Sequence, residues 1–376
     1  MKTVTILGST GSVGRQTLDV ISHYSDRFRV IGLSAYKNES LLREQIAKFS
    51  PSAYWISDEC AQTLTDTSDS VRVSNLEDMA RIPADITVLA VSGIAGLQSA
   101  VEVLRRGGTL AIANKETIVC AGRHLKNLER EYGGKILPLD TEHSAIFSCL
   151  RGEDKKQVKK LILTASGGAL RDLPIEKLKD VTAEVALRHP VWNMGKKVTI
   201  DCATLFNKGL EVIEAMRLFE VDADSVEVVM HRQSIVHSLV EFSDNSLKGL
   251  FSAPDMRLAI DTALSNPDHG KSIIAPLNLS KVGELTFSEP DYTRYPCLKL
   301  AMDAARAGEG ACIALSAADE VLVEEFLKNR IGYDDIADVL SAVSDKFLSV
   351  GDVDLEDIYG IDEQARKYTY AMIGAK

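Results

Sequence analysis

The chain has 376 residues, 45% hydrophobic and 26% charged, the make-up of a soluble globular protein long enough for two or three domains. Its 43 basic and 54 acidic residues give a net charge of −11, which argues against nucleic acid or an anionic membrane as partner, since both select a basic surface. No apolar run reaches the roughly 18 residues of a membrane helix. The N-terminal MKTVTILGST becomes a strand and turn at once, with no leader-like apolar stretch. The 6 cysteines form no CxxC and no zinc spacing with histidine, so they read as free thiols of a reducing, cytoplasmic compartment.

The first part of the chain alternates strand-like and helix-like segments. Val4–Leu7 is a buried strand, residues 8–14 a turn, Gln16–His23 a helix, Arg29–Ser34 a strand and Leu41–Phe49 a helix. Further apolar strands are expected at 53–56, 86–91, 109–113 and 135–139, with a helix over 95–104 among those between them. Such βα repetition implies an α/β fold with a mostly parallel, doubly wound sheet. From Asp140 the pattern changes. Strands are expected at 160–164, 198–201, 226–230, 235–242 and 246–252, with a hairpin turn at Asp244-Asn245. Residues 266–296 hold Pro267, Pro276, Pro290 and Pro296 and read as a linker, followed by amphipathic helices over 297–307, 313–328, 333–348 and 355–373. The expected division is a Rossmann-like domain over 1–139, an α+β domain over 140–265, the linker 266–296 and a helical domain over 297–376.

Several polar motifs fall at the ends of these strands. Gly8-Ser9-Thr10-Gly11-Ser12-Val13-Gly14 lies between a strand and a helix, where glycines let the backbone approach a pyrophosphate and the helix N-terminus offers free N–H groups. A plain βα turn would look similar. No acid closes the second strand; Lys37 and Asn38 stand there, which suits a ribose 2′-phosphate and so NADP(H) over NAD(H). A solvated loop lysine is the plain alternative. Asn114, Lys115 and Glu116 end another strand, where cofactor and substrate bind in open parallel sheets, or they simply start a helix. Asp140 and Glu142 follow the strand ILPLD; with Glu211 they would make an oxygen-rich site for Mg²⁺ or Mn²⁺, while singly they suit a helix cap and first turn. His143 reads as packed or capping. Ser166-Gly167-Gly168 fits an anion nest or a flexible loop. The loop His189-Pro190-Val191-Trp192-Asn193-Met194-Gly195 could close over a ligand or pack as a satellite core. On the helix that follows, Asn207, Lys208 and Glu211 share one face, an arrangement costly in a core and useful in a site.

In this order, ILGSTGSVG, LAIANKE, LPLDTEHSAIF, LTASGGALR, HPVWNMGKKVTID and CATLFNKGLEVIEA resemble the 1-deoxy-D-xylulose 5-phosphate reductoisomerase family, and the resemblance runs over essentially the whole chain. It implies rearrangement of a sugar phosphate, 1-deoxy-D-xylulose 5-phosphate, followed by NADPH reduction to 2-C-methyl-D-erythritol 4-phosphate, in the non-mevalonate route to isoprenoids. It also implies Mg²⁺, Mn²⁺ or Co²⁺ and a homodimer. Asp140, Glu142 and Glu211 match its metal ligands. Lys115, Thr141, Ser166, His189, Trp192, Met194, Cys202, Asn207 and Lys208 match positions that contact or cover substrate. Thr10, Gly11, Ser12, Val13, Lys37, Asn38, Asn114, Glu116 and Gly195 match NADPH positions. Lys115, Glu142 and His189 are the candidates for catalysis, Glu142 as the group that moves protons. Cys202 stands where that family usually has serine, Thr141 also where it has serine, Arg232 where proline is common and Tyr36 where glycine is usual. A different NADP-dependent dehydrogenase of similar build, or a nucleotide sensor without catalysis, are the competing readings; neither needs three carboxylates around an ion.

Overall fold

The computed structural model describes residues 1–24, 26–60, 70–192, 194–271 and 273–374, so Asn193 of the loop lies outside the described residues. The chain divides into two compact units. The first holds Met1–Thr117, Arg123–Ser144 and Asp255–Pro276; the second holds Ile118–Gly122, Ala145–Pro254 and Leu277–Lys376. Residues 255–276, spanning the expected end of the central domain and the start of the linker, thus fold with the N-terminal unit.

The first unit is Rossmann-like. Its strands are β1 (Lys2–Leu7), β2 (Phe28–Ala35), β3 (Ala53–Ile56), β4 (Val71–Arg72), β5 (Ile86–Leu89), β6 (Thr109–Ile112) and β7 (Lys135–Pro138). They pair in the order β4-β3-β2-β1-β5-β6-β7, every adjacent pair parallel. Apolar residues on both faces explain the parallel sheet: Val4, Ile6, Leu7, Val88 and Leu89 are fully buried. The strand order reverses beside β1, between β2 and β5, and the glycine turn leaves β1 at that point. The turn is shorter than residues 8–14. Gly11, extended at φ −73° and ψ 175°, caps a helix that already starts at Ser12. The helices Leu76–Arg81 and Arg257–Ser265 and the short β4 had no clear sequence signal.

The second unit is an α+β layer with a helical bundle. Its strands β8 (Val158–Ala165), β9 (Val226–Met230), β10 (Val236–Phe242) and β11 (Leu247–Phe251) pair in the order β11-β10-β8-β9. The hairpin β10–β11 turns at Asp244-Asn245, with Asn245 at φ +66°. The helix Phe206–Phe219 is buried on two sides: Leu210 and Ile213 belong to the bundle core, Val212 and Ala215 to the core under the sheet. A Cβ on Gly209 would come within 2.3 Å of the Ala301 side chain, so this helix meets Pro296–Ala307 closely. The C-terminal helices Pro296–Ala307, Glu309–Leu327, Tyr333–Phe347 and Ile358–Gly374 follow the expected amphipathic stretches.

One expected strand is wrong. Residues 198–201 lie in the helix Lys196–Thr204. Val198, Thr199 and Ile200 are β-branched and mimic a strand, but Gly195 starts a helix and Thr199 Oγ1 donates to the Gly195 carbonyl at 2.9 Å. Ile200 and Ala203, i and i+3, then both enter the bundle core. The stretch 266–296 is largely irregular, with a short helix Leu279–Val282 and a bridge from Ser288 to Met230. Among the described residues no helix is long and apolar enough to cross a membrane.

Candidate active site

In the first unit, the turn after β1 is fixed by its surroundings. Ser34 Oγ accepts from the Gly8 N–H at 2.9 Å, and the Ser34 carbonyl accepts from the Ser9 N–H at 2.7 Å. Ser9 Oγ donates to Gln45 Oε1 at 2.6 Å. Gly8 has φ +90°, and a Cβ there would meet the Ala90 carbonyl oxygen at 2.6 Å. A Cβ on Gly14 would sit 2.3 Å from the Gly8 oxygen, so these two glycines serve the fold. Gly11 is exposed, its nearest such contact is an ordinary 3.4 Å, and no side chain caps the helix it begins. The N–H groups of that first turn, around Ser12 and Val13, are therefore available to an anion.

The neighbouring candidates have structural tasks too. Asn38 Oδ1 accepts from the Leu41 N–H at 3.1 Å, capping the helix Glu39–Phe49. Exposed Lys37 lies over the Tyr36 ring, 5.7 Å from its centroid. Asn114 is buried and fully engaged: Oδ1 accepts from Thr117 N–H at 2.6 Å, and Nδ2 donates to the Val91 and Gly93 carbonyls at 2.7 Å each. It thereby ties the ends of β5 and β6 together. Glu116 is buried one residue further on than Lys115. Lys115 and Asp140 form an ion pair, and His143, fully buried, places Nδ1 3.4 Å from the same Asp140 carboxylate. The Thr141 hydroxyl donates to Glu142.

In the second unit, Asn207, Lys208 and Glu211 turn toward one another on the helix Phe206–Phe219. They are 8%, 4% and 1% exposed. Asn207 Nδ2 donates to Glu211 Oε1 at 2.5 Å, and Lys208 pairs with the other carboxylate oxygen. Asn207 Oδ1 is a buried acceptor with no hydrogen-bond partner among the described residues. Glu214, buried one turn beyond Glu211, was not singled out in the sequence; its i, i+3 spacing from Glu211 is the available signal.

Ser166 follows β8, and its Oγ lies 3.2 Å from His189 Nε2. His189 Nδ1 accepts from the Val191 and Trp192 N–H groups at 3.2 and 2.8 Å, so the imidazole proton belongs on Nε2. Burial, then the nearby Arg171 charge, push the His189 pKa down to about 4, which keeps it neutral. A neutral Nε2–H donating to Ser166 leaves the serine O–H free to donate outward. Gly167 and Gly168 follow at φ +88° and +67°, and a Cβ on Gly168 would lie 2.3 Å from the Cys202 carbonyl oxygen. The turn after Ser166 thus rests on the helix that carries Cys202. Trp192 and Met194 are half-buried and Gly195 exposed. Sequence reasoning missed His237, whose ring lies 6.4 Å from Trp192 and whose Nε2 is 2.8 Å from Ser252 Oγ. It lies on the face of β10 opposite Val240 and Phe242, which enter the core, so a buried histidine there had no apolar pattern to announce it. Arg171, also missed, donates to the Ser166 and Arg232 carbonyls at 2.9 and 3.1 Å.

A parallel sheet with an uncapped helix at its switch point, followed by a unit rich in buried carboxylate, ammonium and amide groups, has the build of a Rossmann-type enzyme. Family models described as 1-deoxy-D-xylulose 5-phosphate reductoisomerase match residues 4–122, and models of its C-terminal domains match 136–219 and 251–368. The 1-deoxy-D-xylulose 5-phosphate reductoisomerase of Caldanaerobacter subterraneus subsp. tengcongensis is 44% identical over 98% of this chain and 98% of its own. That of Macrococcus caseolyticus is 44% identical over 98% of this chain and 100% of its own. A crystal structure of DOX-P reductoisomerase in complex with NADPH, fosmidomycin and magnesium superposes with a TM-score of 0.94 at 37% identity, covering 100% of this chain and 98% of the other. The Zymomonas mobilis reductoisomerase in complex with NADPH gives 0.91 at 36% identity, covering 99% of each chain. The chain belongs to the 1-deoxy-D-xylulose 5-phosphate reductoisomerase family.

Proposed function

We propose that Asp140, Glu142 and Glu211 hold the divalent ion with which this enzyme rearranges 1-deoxy-D-xylulose 5-phosphate and reduces it with NADPH to 2-C-methyl-D-erythritol 4-phosphate. The activity and cofactors are those of its family. The observation that carries the site is the buried constellation Asn207–Lys208–Glu211, an amide, an ammonium and a carboxylate held together out of water. The three carboxylates are hard oxygen donors, which suit Mg²⁺ or Mn²⁺ and also admit Co²⁺. Asp140 and Glu211 each already accommodate a positive charge, from Lys115 and Lys208. The uncapped helix at Ser12 fits a pyrophosphate in the same way.

The bound ion supplies Lewis acidity at the substrate's carbonyl and hydroxyl oxygens, and NADPH supplies hydride. The protein's part is positioning, charge and proton movement. Lys115 adds positive charge beside Asp140, where negative charge develops on substrate oxygen. Glu142, with the Thr141 hydroxyl on one oxygen, moves the proton. Ser166, Asn207, Lys208 and Cys202 receive the phosphate, with His189 turning the Ser166 hydroxyl outward. Trp192 and Met194 cover substrate and nicotinamide and exclude water, which strengthens each charge interaction beneath them. Thr10, Gly11, Ser12, Val13, Lys37, Asn38, Asn114, Glu116 and Gly195 hold NADPH.

We assign residues 1–139, with which 255–276 fold, to the nucleotide, 140–254 to catalysis and dimerisation, and 277–296 to the link with the helices of 297–376. β11 ends its sheet with Leu247 58% and Phe251 45% exposed, an apolar edge that favours a homodimer. The six cysteines are free thiols, consistent with the cytoplasm. The test is loss of NADPH absorbance on adding 1-deoxy-D-xylulose 5-phosphate, before and after chelation. Metal-dependent oxidation is expected; oxidation that ignores chelation would remove the carboxylates from the role given to them.

A further inference from the structure

The helix Lys196–Thr204 joins the covering loop to the helix of Asn207, Lys208 and Glu211, and it carries Cys202 itself. It is tied to its neighbours by an ionic contact that includes none of the candidate site residues. Lys197 Nζ lies 2.8 Å from Asp201 Oδ2, one turn along the same helix, and 2.8 Å from Asp319 Oδ2, on the helix Glu309–Leu327. Asp201 and Asp319 are 1% and 0% exposed. The Tyr333 hydroxyl, from a third helix, donates to the Ala203 carbonyl at 2.9 Å. The fully buried Cys297 thiol faces the same acids, its pKa raised by burial and then by Asp319 and Asp201.

Placing charges in this core is costly, and an apolar side chain of similar size would stabilise the bundle at least as well. The bundle core is mostly apolar, with Ile200, Ala203, Ala301, Leu315 and Ala318 among its members. What an ionic contact adds over apolar packing is a defined span and register, because an ammonium bridging two carboxylates tolerates little sliding. Register is what this helix must keep. One end sets Gly195 and the loop with Trp192 and Met194. The other, through the left-handed Leu205 at φ +56°, sets the start of the helix with Asn207 and Lys208. The turn after Ser166 rests on its Cys202 carbonyl.

We propose that Asp319 is a positioning residue: through Lys197 it clasps the helix Lys196–Thr204 to the C-terminal bundle and so holds the phosphate-binding groups and the covering loop in register. This rests on the site assignment above. The experiment compares the full-length wild type with Asp319→Asn, Asp319→Glu and Lys197→Arg. Steady-state kinetics is measured for sugar phosphate and for NADPH, and amide hydrogen exchange over 194–200 is measured without ligands. Asp319→Asn is expected to raise KM for the sugar phosphate about tenfold, to leave KM for NADPH within about twofold, and to speed exchange over 194–200. Asp319→Glu, which keeps a charge on Lys197, restores most of the KM. Lys197→Arg keeps the pairing but lengthens its span; it is expected to fold normally and still raise the sugar-phosphate KM severalfold. Should Asp319→Asn not fold, the arginine variant carries the test. A lowered melting temperature with unchanged KM and exchange would reduce the contact to plain scaffolding and overturn the proposal. If the wild type leaves the sugar phosphate untouched, the site assignment fails and the exchange measurement alone decides the clasp.

Discussion

The turn after β1 and the helix Phe206–Phe219 are both proposed to hold anionic ligands, and they are built by opposite means. At the turn, the candidate groups are backbone or are already employed by the fold: Gly8 and Gly14 for close approach, Asn38 and Asn114 as helix caps. On the helix, Asn207, Lys208 and Glu211 are costly side chains buried against one another. Function is cheap where the backbone supplies it and expensive where ionic side chains must be buried. Substitutions at the first region should therefore damage folding and nucleotide binding together. Those at the second should cost activity far more than they cost nucleotide binding.

The largest expected effect is at the helix. Glu211→Gln keeps the volume and the hydrogen bond from Asn207 while removing a carboxylate, and is expected to lower kcat/KM by roughly 10³. Leaving Lys208 buried without its carboxylate also costs roughly 3–5 kcal/mol, so activity is measured well below the lowered melting temperature. A drop in kcat/KM of less than tenfold would place the metal elsewhere. Asn114→Ala is the opposite probe. It removes a cap and two buried hydrogen bonds between β5 and β6, so unfolding in urea should show about 2–4 kcal/mol lost, with NADPH affinity falling in parallel. Lost affinity at unchanged stability would show that Asn114 contacts the nucleotide directly and that the contrast between the regions is too sharp.

His189 offers a smaller effect with a definite sign. Its folded pKa lies near 4, below the ordinary 6.5, because burial and then Arg171 disfavour the imidazolium. Above 6.5 both folded and unfolded states are neutral and the group contributes no pH dependence. Between 6.5 and 4 the unfolded chain takes up a proton that the folded chain refuses, so stability is lost as pH falls. His189→Asn should flatten the fall in melting temperature across this window. An equally steep fall in the variant would mean that other groups set it.

How legible each region was in the sequence follows from the same contrast. The βα units could be read because strands buried on both faces and amphipathic helices carry their own periods, and the glycine turn sits where those periods change. Residues 198–201 could not, because a β-branched run in a helix depends on which partners receive Ile200 and Ala203. Arg257–Ser265 escaped notice although it folds with the first unit; nothing in its composition announces that destination. The acids and amides of the site stood out because they are out of place in apolar surroundings. Glu214 and His237 did not, since one completes an ordinary helix face and the other lies on the partly exposed face of its strand, where polar residues are usual.

Cys202 gives the smallest effect and the finest test. It stands on the helix Lys196–Thr204, half-buried, at a position that the family resemblance gives to serine. A thiol is a weak donor beside a hydroxyl, so one contact to the substrate phosphate should be weaker here than in a Cys202→Ser variant. A neutral hydrogen bond is worth about 0.5–1.5 kcal/mol net, and the thiol already supplies part of that, so a twofold to fivefold lower KM for the sugar phosphate is expected at unchanged kcat. The backbone should be indifferent, because the Cys202 carbonyl, which receives the turn at Gly168, is common to both residues. If serine leaves KM unchanged, the phosphate draws its affinity from Ser166, Asn207 and Lys208 alone. Position 202 would then belong with the turn after β1, as a place where the backbone and not the side chain does the binding region's work.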